Sequence, residues 1–226
     1  VEIRKGNNQA VKTVILVLEK NAKKISSKEE MAQVASISAN DEEIGKLIAE
    51  VMTEVGNDGV ITVEEGQTFG LEKEVVEGMQ FDQGYISPYL MTDANRQEAI
   101  IEDPYILLTD KKISAVSEIL PILEQISNEG KKDIVIIADD IDGEALATLI
   151  LNKIRGILNV LAIKATGLGD RKREMLDDIA ILTGGQVISE ELGIDLKKVT
   201  LKMLGKSRKV ISNKYNTTII DGAGEK

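Results

Sequence analysis

The sequence predicts a mixed α/β fold, and three observations carry that expectation. Past Gly78, short apolar runs alternate with helical patterns, the signature of a sheet with parallel strands and helices layered on it. The first forty or so residues are helical in pattern and lead into only a short sheet. Late in the chain two β-rich runs flank an Asn-Lys-Tyr-Asn turn and predict a hairpin. Two domains are expected: residues 1–76, a small helical unit with a short sheet, and residues 77–226, the α/β domain.

In chain order, Val11, Val14, Ile15 and Leu18 form one apolar stripe before a polar break at residues 21–27, so a first helix is expected there and a second after the break. A third helix should start at Asn40, with Glu43 completing a capping box and Ile44, Leu47, Ile48, Val51 and Val55 forming its apolar face. Gly56 should end it, and Asn57, Asp58 and Gly59 turn the chain into strands at 60–63 and 71–76. Residues 75–89 hold three of the six aromatic side chains, Phe81, Tyr85 and Tyr89. Their spacing is helical, but Gly84 and Pro88 between them argue for an extended, ring-bearing strand or loop. The rings either fill a core or form part of an apolar contact surface. Strands are expected at 105–108, 134–138, 160–165 and 186–189, helices at 114–128, 143–157 and 171–183, and the hairpin pairs 209–212 with 217–220.

At 226 residues, 42% of them apolar and 29% charged, the chain can bury a sizeable core. No signal peptide and no apolar run long enough to span a bilayer is expected, so no membrane partner follows. A net charge of −10 argues against nucleic acid. Without cysteine or histidine there can be no disulfide, no thiolate nucleophile, no imidazole base and no zinc site of the usual kinds. Carboxylate, lysine and hydroxyl chemistry survive that exclusion, as do oxygen-ligated magnesium or calcium sites.

Two loops could carry such chemistry. Asp139, Asp140, Asp142 and Glu144 follow an apolar strand, where α/β folds place metal and phosphate sites, and a small magnesium-dependent enzyme would use them. An EF-hand through Gly143 fails, because Ala138 and Leu149 stand at ligand positions. The plainer reading is a loop whose Asp142 caps the next helix. The glycine loop at 166–172 has neither Rossmann nor P-loop spacing, and Asp170 reads as a helix cap.

The helices at 114–128 and 143–157 carry more apolar surface than one buried face needs. Leu120 widens a stripe of Ile119, Ile122, Leu123 and Ile126, with Pro121 fixing an early turn. In the second helix Leu146 and Ile150, Leu149, and the line of Ala147, Leu151, Ile154 and Leu158 run most of the way round. Either both helices are buried on two sides or they leave an apolar groove for a partner.

The segments SISANDEEIGKLIAEVMTEVGNDGVITVEEG at 36–66, VVEGMQFDQGYISPY at 75–89, DDIDGEALATLILNK at 139–153, KATGLGDRKREMLDDIAILTGG at 164–185 and NTTIIDGAGE at 216–225 closely resemble the bacterial-type 60 kDa chaperonin, the GroEL family. The resemblance covers essentially the whole chain. It implies a piece of a longer protein: the end of an equatorial helix and the first half of the intermediate domain in 1–76, then the apical domain, without its terminal helices, in 77–226. The family's phosphate loop and catalytic aspartate fall outside these residues. ATP and magnesium are therefore expected only in the full-length family, with no cofactor and no ATP hydrolysis for this stretch.

The resemblance further implies binding of non-native polypeptides and of the co-chaperonin lid in a groove between two helices above an extended segment. Contact positions fall on Tyr85, Tyr89 and Leu90, on Leu120 and Leu123, and on Leu146, Ile150 and Leu151, with Thr148 and Asn152 as polar groove positions. Leu90 stands where many members have phenylalanine, and the turn at 130–133 is one residue longer. Gly78 matches the family's hinge. The full-length family forms a homo-oligomeric double ring, and the implied compartment is the bacterial cytoplasm, or the mitochondrial matrix or plastid stroma.

Overall fold

The computed structural model describes residues 2–25, 27–56, 59, 61, 63, 70–73, 75, 78–167, 169–189 and 193–224. The chain divides into two compact units, 1–75 and 76–226. In the first unit, α1 (Glu2–Asn21) carries the apolar stripe expected from the sequence, with Val11, Val14, Ile15 and Leu18 all exposed. α2 (Lys28–Ala39) starts at Ser27, whose side chain accepts the Glu30 N–H. α3 (Glu42–Val55) packs on α2 through buried Gly45 and Ala49.

Asn40 does not cap α3 as expected. It closes α2 in the left-handed conformation, at φ 54°, and Asp41 is the N-cap of α3, accepting from Glu43 N (2.7 Å) and Ile44 N (3.0 Å). Asn tolerates positive φ better than most residues, which settles the division of labour between two neighbouring cap formers. The turn at 57–59 and the strands expected at 60–63 and 71–76 lie partly outside the described residues, and those described in these stretches are not in strands. Lys73 reaches Glu50 (2.6 Å) and Glu54 (2.9 Å) on α3.

The second unit is the α/β layer. It runs β1 (Gly78–Phe81), β2 (Ala99–Glu102), β3 (Tyr105–Thr109), β4 (Lys112–Ile113), α4 (Leu120–Asn128), β5 (Asp133–Ala138), β6 (Asp140–Ile141), α5 (Gly143–Ile154), β7 (Asn159–Lys164), α6 (Asp170–Thr183), β8 (Val187–Ile188), β9 (Gly205–Ser212) and β10 (Thr217–Gly222). The main sheet is ordered β1-β10-β9-β3-β5-β7, with β2 also on β9 and β8 also on β3. β7, β5, β3 and β8 are mutually parallel, and β1, β10, β9 and β2 form an antiparallel half. β3, β5 and β7 are buried on both faces, so they read as continuous apolar runs and not as alternating ones.

Several boundaries differ from the expected ones. The helix expected to begin at 114 starts at Leu120, after a separate 3₁₀ turn at Val116–Glu118; β9 begins four residues earlier than expected, at Gly205. Gly169, not Asp170, occupies the N-cap of α6, and Asp170 is its first helical residue. Gly78 opens β1 opposite Ile220, and a Cβ there would stand 2.6 Å from the Ile219 carbonyl oxygen, so close strand approach already requires glycine.

Candidate functional site

The candidate site is built on α5 and the pieces packed against it. β4 and β6 form a two-stranded parallel pair, Lys112 with Asp140 and Ile113 with Ile141. Beyond it, Asp142 N–H donates to the Ile113 carbonyl (3.1 Å) and Ala145 N–H to the Ser114 carbonyl (3.0 Å). These backbone bonds fix the start of α5 against the strand that leads to α4. α5 also packs on the 3₁₀ turn Val116–Glu118, immediately before α4, and on a second 3₁₀ turn, Pro88–Leu90, in the aromatic segment. That segment is anchored separately: Tyr85 N–H donates to the Asn213 carbonyl (3.1 Å), and Ile86 N–H to the Ala162 carbonyl on β7 (2.9 Å).

The ten residues singled out in the sequence divide by burial. Tyr89 is 70% exposed, Leu120 44% and Leu151 45%, whereas Leu90 is 0% and Leu123 7% exposed. Leu90 and Leu123 thus belong to the core beneath the surface in this chain, Leu90 because its 3₁₀ turn folds it inward and Leu123 because it shares the inner face of α4 with Ile122 and Ile126. Tyr85, Leu146 and Ile150 are half-buried, packed against the core with part of each side chain still accessible. The Tyr85 hydroxyl donates to the Gln97 carbonyl (3.4 Å). Thr148 and Asn152 are half-buried; Asn152 Nδ2 donates to the Thr148 carbonyl (2.8 Å), and the amide has a further N–H and an oxygen to offer an extended backbone.

The exposed apolar strip runs further than those ten. Ile154 is 68% and Ile157 56% exposed. Ile154 shares the line of Leu151 on the helix, a signal present in the sequence; Ile157 lies past Gly156, outside the helix, where periodicity says nothing.

The acidic loop is committed elsewhere. Asp142 stands at the N-cap position of α5 but makes no cap bond there. Its carboxylate instead meets Lys112 Nζ (2.5 Å) and accepts from the Ser114 hydroxyl (2.6 Å). Asp140 lies 3.7 Å from Lys164 and 3.9 Å from Lys112, and Asp139 pairs with Lys172 in the first turn of α6. Each of the three aspartates therefore faces an ammonium, and among the described residues no three acidic groups are arranged to hold a metal. Nothing in this arrangement favours the magnesium-enzyme reading.

The Lys112 ammonium and the Ser114 hydroxyl hold the Asp142 carboxyl below its ordinary value, and Asp142 raises Lys112 in return. A carboxyl depressed in the folded chain stabilises it above the unfolded-state pKa, about 3.9, and that contribution disappears as pH falls through the folded value. Thermal unfolding of Asp142→Asn should accordingly differ from wild type by a constant amount near neutral pH. The difference should shrink below about pH 4. A gap that persists unchanged to pH 2 would show that the ion pair contributes nothing.

Lys153, next to Asn152 on α5, is half-buried and donates to Asn159 Oδ1 (3.2 Å) and to the Val160 carbonyl (3.3 Å). Burial pushes its pKa down, and the charge of Asp133 partly offsets that. Asn159 Nδ2 in turn donates to Asp133 Oδ1 (2.7 Å).

The arrangement offers aliphatic and aromatic surface on braced elements, with amide and hydroxyl groups among it. That chemistry suits holding a flexible apolar chain better than transforming a small molecule. Over residues 1–226 the sequence matches the family model described as the TCP-1/cpn60 chaperonin family, so the chain belongs to that family of protein-folding chaperones.

Proposed function

We propose that residues 77–226 are the apical domain of a bacterial GroEL-type chaperonin and bind non-native polypeptides, and the co-chaperonin, in an apolar groove walled by α4 and α5 and floored by the aromatic segment. Residues 1–76 are then the end of an equatorial helix and the first half of the intermediate domain, with Gly78 at the hinge. The observation that carries this reading is the exposure of Leu120 and Leu151, at 44% and 45%, on α4 and α5, with the start of α5 tied by backbone hydrogen bonds to the strand that leads to α4. Tyr89, Ile154 and Ile157 extend the same apolar character.

Such a surface recognises what folded proteins conceal. Full burial of one aliphatic side chain is worth roughly 1.5–3 kcal/mol, so a few together give roughly micromolar affinity once ordering costs are met. Release remains easy at that strength. In the full-length family, repeated grooves around a double ring add avidity and an ATP cycle supplies encapsulation. The holding step itself needs only the residues named here.

The direct test is titration with a reduced, alkylated, permanently unfolded protein and with its native disulfide-bonded form, read by fluorescence anisotropy. Saturable binding to the unfolded form alone, at roughly micromolar concentration, is expected. Equal binding to both forms, or to neither, would rule the reading out.

A further inference from the structure

α5 carries charge along its outer surface as well as apolar side chains. Glu144, Thr148, Leu151 and Arg155 follow one another at helical spacing and so share one stripe of the helix. Glu144 and Arg155, at the two ends of the stripe, are exposed, Leu151 between them is 45% exposed and Thr148 is half-buried. Among the described residues neither charged side chain has an ion-pair partner. Their charged neighbours are committed: Asp142 to Lys112, and Lys153 to Asn159 Oδ1 and the Val160 carbonyl. At a rise of about 1.5 Å per residue, Glu144 and Arg155 stand about 16 Å apart along the helix. They are of opposite sign.

We infer that Glu144 and Arg155 give the groove an electrostatic direction: it selects extended apolar segments bracketed by one basic and one acidic residue, and seats the basic end at Glu144 and the acidic end at Arg155. This rests on the groove reading given above. An extended chain advances about 3.3 Å per residue and turns every second side chain to the same face. Opposite charges four residues apart, about 13 Å, therefore both face α5, and the long side chains of a lysine and of Arg155 span the remaining distance. An apolar residue midway between them lies on that same face and meets Thr148 and Leu151. The helix dipole opposes both pairs, but it amounts to about half an elementary charge at each end, against a full charge on a side chain that projects toward the client. The side chains prevail. Both are exposed in the free chain, so a client reaches them without displacing any part of the fold. A uniformly apolar groove would hold a segment in either direction; these two charges decide which end of the client lies at which end of the helix.

The test uses the 226-residue chain and three end-blocked peptides that share one apolar centre. One carries Lys and then Glu four residues on, one Glu and then Lys, and one Gln at both places; each bears a nitroxide at its N-terminus. Both charged peptides should bind about two- to thirtyfold more tightly than the Gln peptide at low salt, the worth of two exposed ion pairs. That advantage should vanish in about 1 M salt while the Gln peptide still binds. In NMR spectra the nitroxide should broaden amides near Glu144 when Lys leads and amides near Arg155 when Glu leads, and the double variant Glu144→Arg, Arg155→Glu should exchange the two patterns. Charged peptides that bind no more tightly than the Gln peptide overturn the inference. So does a broadening pattern that ignores the order of the charges, which would mean attraction to the surface without direction. Should the double variant fail to fold, the wild-type comparison of the two charge orders decides alone. If no peptide binds, the uncharged one included, the groove reading has failed first and the direction falls with it.

Discussion

Replacing Leu120 and Leu151 together by serine should weaken binding of an unfolded polypeptide about ten- to a hundredfold while the domain stays folded. Each leucine is a little under half exposed in the free chain, so binding buries only that remainder, worth about 0.7–1.5 kcal/mol per site. The slightly larger part already covered in the free fold is worth about 0.8–1.7 kcal/mol per site, so the variant should melt earlier but still fold cooperatively. Leu123→Ala is the counterpart. At 7% exposure it lies in the core, and its truncation should cost about 2–5 kcal/mol of stability through lost packing and a residual cavity. Anisotropy titration beside thermal denaturation separates the two effects. A Leu120/Leu151 double variant that is unfolded under the binding conditions, or one that binds normally, would remove the groove from those residues.

Gly84→Ala should be the most damaging single methyl in the aromatic segment. Gly84 is buried, and its added Cβ would lie 1.9 Å from the Asn213 carbonyl oxygen and 2.4 Å from the carbonyl carbon of Lys214. That same Asn213 oxygen accepts the Tyr85 N–H, so the methyl displaces the bond that anchors the segment to the β9–β10 turn. The turn cannot retreat easily. Asn213 Oδ1 accepts from Tyr215 N (2.7 Å) and Asn216 N (2.9 Å), and Thr217 Oγ1 donates to the Gln83 carbonyl (2.7 Å). Overpacking of this kind costs about 1–3 kcal/mol, and more when only backbone can move. Hydrogen exchange should report it locally, as lost protection of the Tyr85 and Ile86 amides, with peptide affinity falling alongside. Unchanged protection at both amides would show that the segment is held by other contacts.

The parts of the fold legible in the sequence are those set by local pattern. The apolar runs at 105–108 and 134–138, the Asn-Lys-Tyr-Asn turn and the excess of apolar residues on α5 each followed from composition and spacing alone, and each is present. What could not be read depends on partners far away in sequence. Leu120 and Leu123 stand three positions apart, about one turn, on α4; which is covered is decided by the 3₁₀ turn Leu196–Lys198 packed on α4 and by Gln125 Nε2 donating to the Val199 carbonyl. β2 escaped notice because Ala99–Glu102 is four residues long and exists through its pairing with Lys209–Ser212, over a hundred positions later. Asp142 reads as a cap by position, yet Lys112 and Ser114 compete for its carboxylate and win. The contacts of Lys153 gave no signal at all, since they depend on where the chain returns as β7 to place the Asn159 amide and the Val160 carbonyl beneath α5.

The short ladder of β4 on β6, with the two amide bonds beyond it, means that the approaches to α4 and α5 share one frame. Spreading the walls apart would break main-chain pairing, at a net cost of about 0.5–1.5 kcal/mol for each bond lost. Opening and closing by deformation of the cleft is therefore disfavoured. The spacing of Ile113 and Ser114 from the first turn of α5 is thus set by backbone and is insensitive to side-chain substitutions on either helix.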